Sequence, residues 1–168
     1  VWPDFFPIIE DAIKKKKPLL GVCLGMQAIG SYFNFLEEQE QRTNASREEI
    51  KEILKEKEHY LKKLEDSSLH TKDKETQDKA RHKIFLEKSS LLYKVLKCDE
   101  INVISLHNVI LPYASKELTI SSKSEDGVIE GIEYTKNGSQ ILGVQYHPEL
   151  EENSAIFDWL VDACYQKF

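Results

Sequence analysis

Two short stretches place a nucleophile and a base where a folded chain could use them. "GVCLG", residues 21–25, sets Cys23 between two glycines directly behind the apolar run "PLL". That is the G-x-nucleophile-x-G spacing of a sharp strand-to-helix turn, which lifts a side chain above a sheet edge. Side chains larger than hydrogen at Gly21 and Gly25 are expected to crowd the neighbouring strands. A thiol at the start of a helix or beside an imidazolium is expected to ionise more readily than a free one. The backbone N–H of Leu24 then faces an oxygen on the attacked carbon, as one oxyanion donor. The second stretch is "ILGVQYHPE", residues 141–149. His147 ends an apolar strand, Pro148 holds it extended, and Glu149 lies close enough to orient its ring. Nucleophile, base and orienting carboxylate make a catalytic triad in its cysteine version. A core cysteine packing as a small hydrophobe or a surface histidine accounts for either stretch alone. The two together are much harder to obtain by chance and point to nucleophilic catalysis by a cysteine.

The remaining histidines have no comparable setting in the sequence. His59 and His70 lie in a charged stretch and are expected to be solvated; His82 and His107 stand in the second half.

The bulk properties narrow the class. The 168 residues fit one domain, and a net charge of −6 argues against nucleic acid or anionic lipid as the main partner. No apolar run approaches the roughly 20 residues needed to span a bilayer. The start, "VWPDFFPIIE", lacks the regions of a signal peptide. Cys23, Cys98 and Cys164 are far apart with no C-x-x-C spacing, which fits reduced thiols in a cytoplasmic protein and offers no metal site. Burial in the core is expected for Cys98 and Cys164. The chain begins with valine and its only methionine is Met26, so an N-terminally incomplete domain is expected.

The elements that must position the triad read as α/β. "DFFPIIEDAIKKKK" predicts a helix capped by Asp4, with Pro7 in its first turn and Phe6, Ile9 and Ile13 at helical spacing. "PLLGV" predicts a strand, and Met26, Ile29 and Phe33 a second helix. Helix, strand, tight turn, helix predicts a mostly parallel central sheet flanked by helices. Residues 37–81 hold 13 acidic and 11 basic side chains, with no glycine or proline, and read as a charged helical insertion. Within it "SREEIKEILKEKEHYLKKLED" opens on a capping box, Ser46 with Glu49. Ile50, Ile53, Leu54, Leu61 and Leu64 draw one stripe, and Glu58 with Lys62 adds an i,i+4 pair. Either a solvated surface helix or a partner-binding lid fits that pattern. "SSLHTKDKETQDKARHK" reads as a loop. "SSLLYKVL" predicts a short helix, and "INVISL" and "LTISSKS" predict strands. "GVIEGIEYT" and "QILGVQY" predict neighbouring strands across "KNGS". "NSAIFDWLVDACYQKF" predicts a closing helix capped by Asn153 or Ser154, with Ile156, Leu160 and Cys164 on one face.

"GVCLGMQ" and "GVQYHPE" resemble the two signatures of class I glutamine amidotransferase domains. That resemblance implies Cys23 as nucleophile, His147 as general base and acid, Glu149 as the orienting carboxylate, and Gln27 as a contact to the substrate's glutamyl portion. "HKIFLEKSSLLYKVL", "INVISLHNVI", "SSKSEDGVIEGIEY" and "ILGVQYHPE", in that order, resemble the γ-glutamyl hydrolase branch, which includes γ-glutamyl-γ-aminobutyrate hydrolases. Ser105 and His107 match the start of that branch's S-x-H-H-Q motif at the pocket rim. Asn108 and Val109 depart from the rest of it. The resemblance covers residues 1–36 and 82–168, and implies an upstream Gly-Gly segment supplying a second oxyanion donor.

The expected function is hydrolysis of γ-glutamyl amides through a γ-glutamyl thioester, with no metal or organic cofactor required. One alternative is a glutaminase subunit passing ammonia to a synthase partner. Another is a non-catalytic, incomplete homologue. The expected partners are a small-molecule γ-glutamyl substrate and either a second copy, as a homodimer, or a synthase, with no nucleic acid and no membrane.

Overall fold

In the computed structural model, which describes residues 2–71, 80–152 and 155–165, a 3-10 turn at Trp2–Phe5 leads into α1 (Phe6–Lys14). The cap position falls on Phe5, whose side chain makes no capping bond, rather than on Asp4. The apolar run then forms β1 (Leu19–Val22), and the chain turns at Cys23 into α2 (Leu24–Gln41). α3 comes next (Arg47–Glu56), then β2 (Lys62–Lys63), β3 (Ala80–Leu86), α4 (Leu91–Leu96), β4 (Glu100–Ser105), β5 (Val109–Ile110), β6 (Thr119–Ser124), β7 (Ile129–Tyr134), β8 (Ile141–Val144) and α5 (Ala155–Tyr165). No described helix is long and apolar enough to cross a membrane.

The six-stranded sheet has the order β1-β8-β7-β6-β3-β4, and β2 pairs separately with β5. Helices flank the sheet as expected, but its strands are not mostly parallel. Only β1 and β8 run parallel; the other four pairings are antiparallel. Loop length explains part of this. Residues 125–128 and 135–140 are too short for the crossover that a parallel neighbour requires. The "KNGS" turn places Asn137 and Gly138 at positive φ, 56° and 79°, as a tight turn demands.

Two apolar layers cover the sheet. On one face Phe6, Met26, Ile29 and Phe33 pack with Ile132 and Ile141; on the other, Leu92 and Ile156 pack with Ile84, Val103, Leu142 and Val144. β8 is buried along its whole length between them, as a strand covered on both sides must be.

The charged stretch behaves differently from a solvated helix. The capping box is present: Ser46 Oγ accepts from Glu49 N–H and Glu49 reaches back to Ser46 N–H. α3, however, stops at Glu56 instead of running to Asp66. Glu58 turns left-handed (φ 56°), His59 and Tyr60 both donate to the Leu54 carbonyl, and Asn34 takes the His59 carbonyl. Its apolar residues Ile50 and Leu54 belong to the main core. His59 stacks on Tyr113 at 3.5 Å and His70 is fully buried, so neither is the solvated histidine expected. The predicted loop becomes β3 from Ala80 onward. At the far end, α5 buries Ile156 and Ala163 and leaves Cys164 exposed; Cys98 is half-buried. The expected caps Asn153 and Ser154 lie outside the described residues.

Leu54 tests whether α3 is core. At 2% exposure, Leu54→Ala is expected to cost about 2–5 kcal/mol in urea denaturation, the range for emptying a packed site. A change of a few tenths would mean that α3 sits on the surface.

Candidate active site

β1 and β8 are adjacent and parallel with Val22 opposite Val144, so the loops leaving both strands emerge at the same sheet edge. Cys23 comes directly after β1 and donates its N–H to the Val144 carbonyl at 2.8 Å. His147 lies three residues beyond Val144 and donates its own N–H to the Ile104 carbonyl, anchoring the loop to β4. In α/β sheets this carboxyl edge is where ligands bind.

The turn is strained in the way a nucleophile elbow is. Cys23 has φ 49° and ψ −104°, outside the regions comfortable for a side chain. Gly21 is required: a Cβ there would stand 2.6 Å from Ile29 Cδ1 and 2.7 Å from the Gly25 backbone. The same expectation fails at Gly25, where a Cβ would meet nothing within 4 Å. The close packing is between β1 and the first turn of α2, and Gly25 is the approaching backbone rather than the gap.

The thiol is half-buried, and its environment differs from expectation. Burial raises its pKa above the ordinary value. The Leu24 N–H and the Gln145 side chain stabilise the thiolate, but Glu149 and Glu130 oppose them. The resting species is therefore a thiol. Leu24 is the first residue of α2, and its N–H, one of the helix's unsatisfied first-turn donors, lies against the Cys23 sulfur.

His147 faces Glu149. Its Nδ1 lies 2.6 Å from Glu149 Oε1, which holds the proton on that nitrogen. Nε2 is buried and, among the described residues, has no hydrogen-bond partner.

The other expected contacts lie deeper than a pocket rim. Gln27 is buried; its amide donates to the Val109 carbonyl (2.8 Å) and to Gln145 Oε1 (3.1 Å). Gln145 in turn places Nε2 3.5 Å from Cys23 Sγ. Gln27 thus supports Gln145 under the thiol rather than facing solvent. Ser105 is fully buried and donates to the His70 carbonyl at 2.9 Å. His107 is buried as well, with Nδ1 at 3.2 Å from the Val109 carbonyl.

Sequence reasoning missed Gln145, Glu130, His70 and His82. Gln145 stands inside "GVQYHPE", and only pairing with β1 shows that it reaches the sulfur. His82, Ile84 and Leu86 alternate along β3, a period-two pattern that signals their shared buried face. His70, His82 and His107 all surround the Glu130 carboxylate. Burial alone would raise that carboxyl, but the histidines outweigh it and hold it well below the usual range. His70, burial notwithstanding, is raised by Glu130 and Asp126.

Known proteins share this arrangement of elements. A glutamine amidotransferase-like protein of Rickettsia prowazekii is 29% identical over 167 residues, covering 89% of this chain and 59% of its own length. Protein NtpR of Enterococcus hirae is 28% identical over 164 residues, covering 92% and 58%. The chain therefore spans about three-fifths of the length of these curated relatives. Among solved structures, the glutaminase domain of Trypanosoma brucei CTPS with bound acivicin superposes with a TM-score of 0.66 at 19% identity, over 95% of this chain and 64% of that one. A Thermoplasma acidophilum protein described as a GMP synthase subunit gives 0.63 at 20%, over 97% and 65%. These likenesses show a mixed α/β fold of the glutamine amidotransferase kind. The pattern of the peptidase C26 family runs over residues 5–149, through the Cys23 elbow and as far as Glu149, and the chain belongs to that family.

Proposed function

We propose that the chain is a cysteine-dependent hydrolase that cleaves γ-glutamyl amide bonds. The observation that carries this reading is the pairing across one sheet edge: an elbow thiol directly after β1 and, three residues beyond its parallel neighbour β8, a histidine whose Nδ1 is held by Glu149 while Nε2 has no partner among the described residues.

Because burial keeps Cys23 protonated at rest, attack and deprotonation are one event. Nε2 of His147 takes the Sγ proton as sulfur bonds to the side-chain carbonyl carbon of the substrate. The oxyanion accepts from the Leu24 N–H. On collapse the C–N bond breaks, and the imidazolium gives its proton to the leaving amine. A γ-glutamyl thioester remains. Nε2 then removes a proton from water, water attacks the thioester, and Cys23 leaves as the thiol with glutamate released. Glu149 stabilises the imidazolium in both halves, and Gln145 holds the sulfur in line.

A second reading has its own support. The fold neighbours include a glutaminase domain and a synthase subunit, so the same chemistry serves a glutaminase delivering ammonia to a synthase. The two readings separate on dependence: a hydrolase turns over γ-glutamyl amines alone, whereas a glutaminase subunit needs its synthase. Retention of the triad without turnover would favour the non-catalytic homologue.

Cys23→Ala is expected to lower kcat by about 10⁴-fold or more with an unchanged circular dichroism spectrum, and Glu149→Gln to lower it while leaving KM nearly unchanged. Turnover of γ-glutamyl substrate persisting in Cys23→Ala would exclude the thioester route. A diazoketone glutamine analogue should label Cys23 alone at neutral pH, in competition with γ-glutamyl compounds; equal labelling of Cys23, Cys98 and Cys164 would mean that no such pocket exists.

A simple alkylating agent reads the thiolate without help from substrate. Its rate at Cys23 should rise with pH to a midpoint above the ordinary thiol value of 9.0. Gln145→Ala, which removes a hydrogen bond to the thiolate, should move that midpoint higher still. A midpoint near neutrality would overturn the resting-thiol account.

A further inference from the structure

Behind the elbow, on the antiparallel part of the sheet, four side chains converge in a closed interior. His70 precedes β3, His82 lies on β3, His107 comes after β4 and Glu130 lies on β7. Their side chains are at most 2% exposed. His70 Nδ1, His82 Nε2 and His107 Nε2 stand 3.2, 3.3 and 3.4 Å from the same oxygen, Glu130 Oε1. Among the described residues, none of these nitrogens and neither Glu130 oxygen has a hydrogen-bond partner.

The outward nitrogens decide the protonation. His82 Nδ1 faces the Leu69 carbonyl at 3.0 Å, and His107 Nδ1 faces the Val109 carbonyl at 3.2 Å. A carbonyl only accepts, so each of these nitrogens carries the ring proton. His70 Nε2 faces Asp126 Oδ2 at 2.9 Å, and Asp126 also takes the Ser124 hydroxyl. An ionised carboxylate only accepts too. The neutral His82 and His107 rings therefore direct their remaining lone pairs at a carboxylate oxygen, which also has only lone pairs, and His70 does the same whenever its ring is neutral. Acceptor against acceptor in a buried space is unfavourable, and something positive has to lie among them.

Extra protons are a poor solution. The His70 ring centre is 4.5 Å from that of His82 and 4.7 Å from that of His107. Charging all three rings would bring like charges together with little solvent to screen them. A single divalent cation among His70, His82 and Glu130 meets a lone pair from each of the three and offsets the charges of Glu130 and Asp126. The three distances to Glu130 Oε1 match one another and an edge of a tetrahedron: coordination at about 2.0–2.1 Å gives ligand-to-ligand edges of about 3.3–3.4 Å. The donor atoms of His70, His82 and Glu130 all lie within 4.8 Å of one another. The outer hydrogen bonds to Leu69, Val109 and Asp126 are the kind that orient metal-bound imidazoles. The His70 carbonyl, taken by His107 N–H at 2.6 Å and Ser105 Oγ at 2.9 Å, fixes the ligand that comes from outside the sheet.

We propose that His70, His82 and Glu130, with His107 closing the cluster against Glu130, form a structural site for a divalent transition metal of the zinc class. Imidazole with one carboxylate suits that class, and full enclosure by protein ligands marks a structural rather than a catalytic site. The ion would tie the 64–71 segment to β3 and β7, so that metal binding and folding are coupled.

The test strips the purified protein with a chelator, restores Zn²⁺, and measures bound metal by mass spectrometry; Co²⁺ replaces zinc in a parallel sample for its visible spectrum. The expected result is one zinc per chain and the absorption bands of a tetrahedral cobalt site. A hundredfold excess of zinc over its dissociation constant should shift the unfolding equilibrium about a hundredfold. His82→Gln and Glu130→Gln should each abolish uptake, with circular dichroism confirming that they fold. No zinc retained and no cobalt bands in the wild type would overturn the site, whatever the variants do. So would folded variants that bind as much zinc as the wild type. Metal content is read independently of turnover, so failure here leaves the hydrolase reading untouched, and the reverse holds.

Discussion

The parallel pairing of β1 with β8 is the constraint on which the rest depends. It is the only parallel pairing in the described sheet, and its register sets Gly21 opposite Gly143. Both glycines lie under α2. A Cβ at Gly21 would strike Ile29 and the Gly25 backbone, and one at Gly143 would press on Met26 at 3.0 Å. The helix can sink onto the sheet only because that rung has no side chains. Once it does, the connection at Cys23 has to reverse within one residue. A positive φ on a non-glycine residue costs on the order of 1–3 kcal/mol, and the packing on either side holds it in place.

From that rung the geometry of the site is almost forced. Parallel strands end on the same edge, so the residues after Val22 and after Val144 must meet there. The Cys23 N–H on the Val144 carbonyl locks the registration at the last possible position. Gln145, next along the chain after β8, is then forced to share the space beneath the sulfur, and Gln27 on α2 donates to its side-chain carbonyl. Burial of this layer explains why the thiol is not pre-ionised. The helix terminus and Gln145 stabilise the anion, but desolvation and two carboxylates weigh more. In the proposed hydrolase reading, nucleophilicity comes from proton transfer at the moment of attack, to the lone pair on His147.

Much of this was legible in residue order, and the failures have physical reasons. The elbow, the histidine step, the capping box at Ser46 and the β7–β8 hairpin are all local: each depends on residues a few positions apart. Strand direction was not local, and the α/β rhythm at the N-terminus was wrongly extended to short-looped strands that can only pair antiparallel. Gly25 looked like Gly21 because spacing carries no information on which side the helix approaches. Composition misled most in the charged stretch. Its many ionic side chains suggested solvent throughout, yet burial there is decided by Ile50, Leu54 and His70. Glu38 shows the same point: it is buried, but Lys57 and Arg42 close on it at 2.7 and 3.0 Å, so a charged residue ends up inside without being exposed or orphaned.

Glu130 joins the two buried centres. Its carbonyl accepts the Gln145 N–H at 2.9 Å, while its carboxylate draws three imidazoles together. Its negative charge also adds to the forces that keep Cys23 protonated. Any positive charge placed among the histidines therefore acts on the thiol as well, by cancelling one of the two carboxylate charges opposing ionisation. The proposed cation would stiffen the strand that Gln145 bonds to and would ease deprotonation of the sulfur without touching it. The two centres meet at one β7 side chain, whose histidine partners come from three separate parts of the chain.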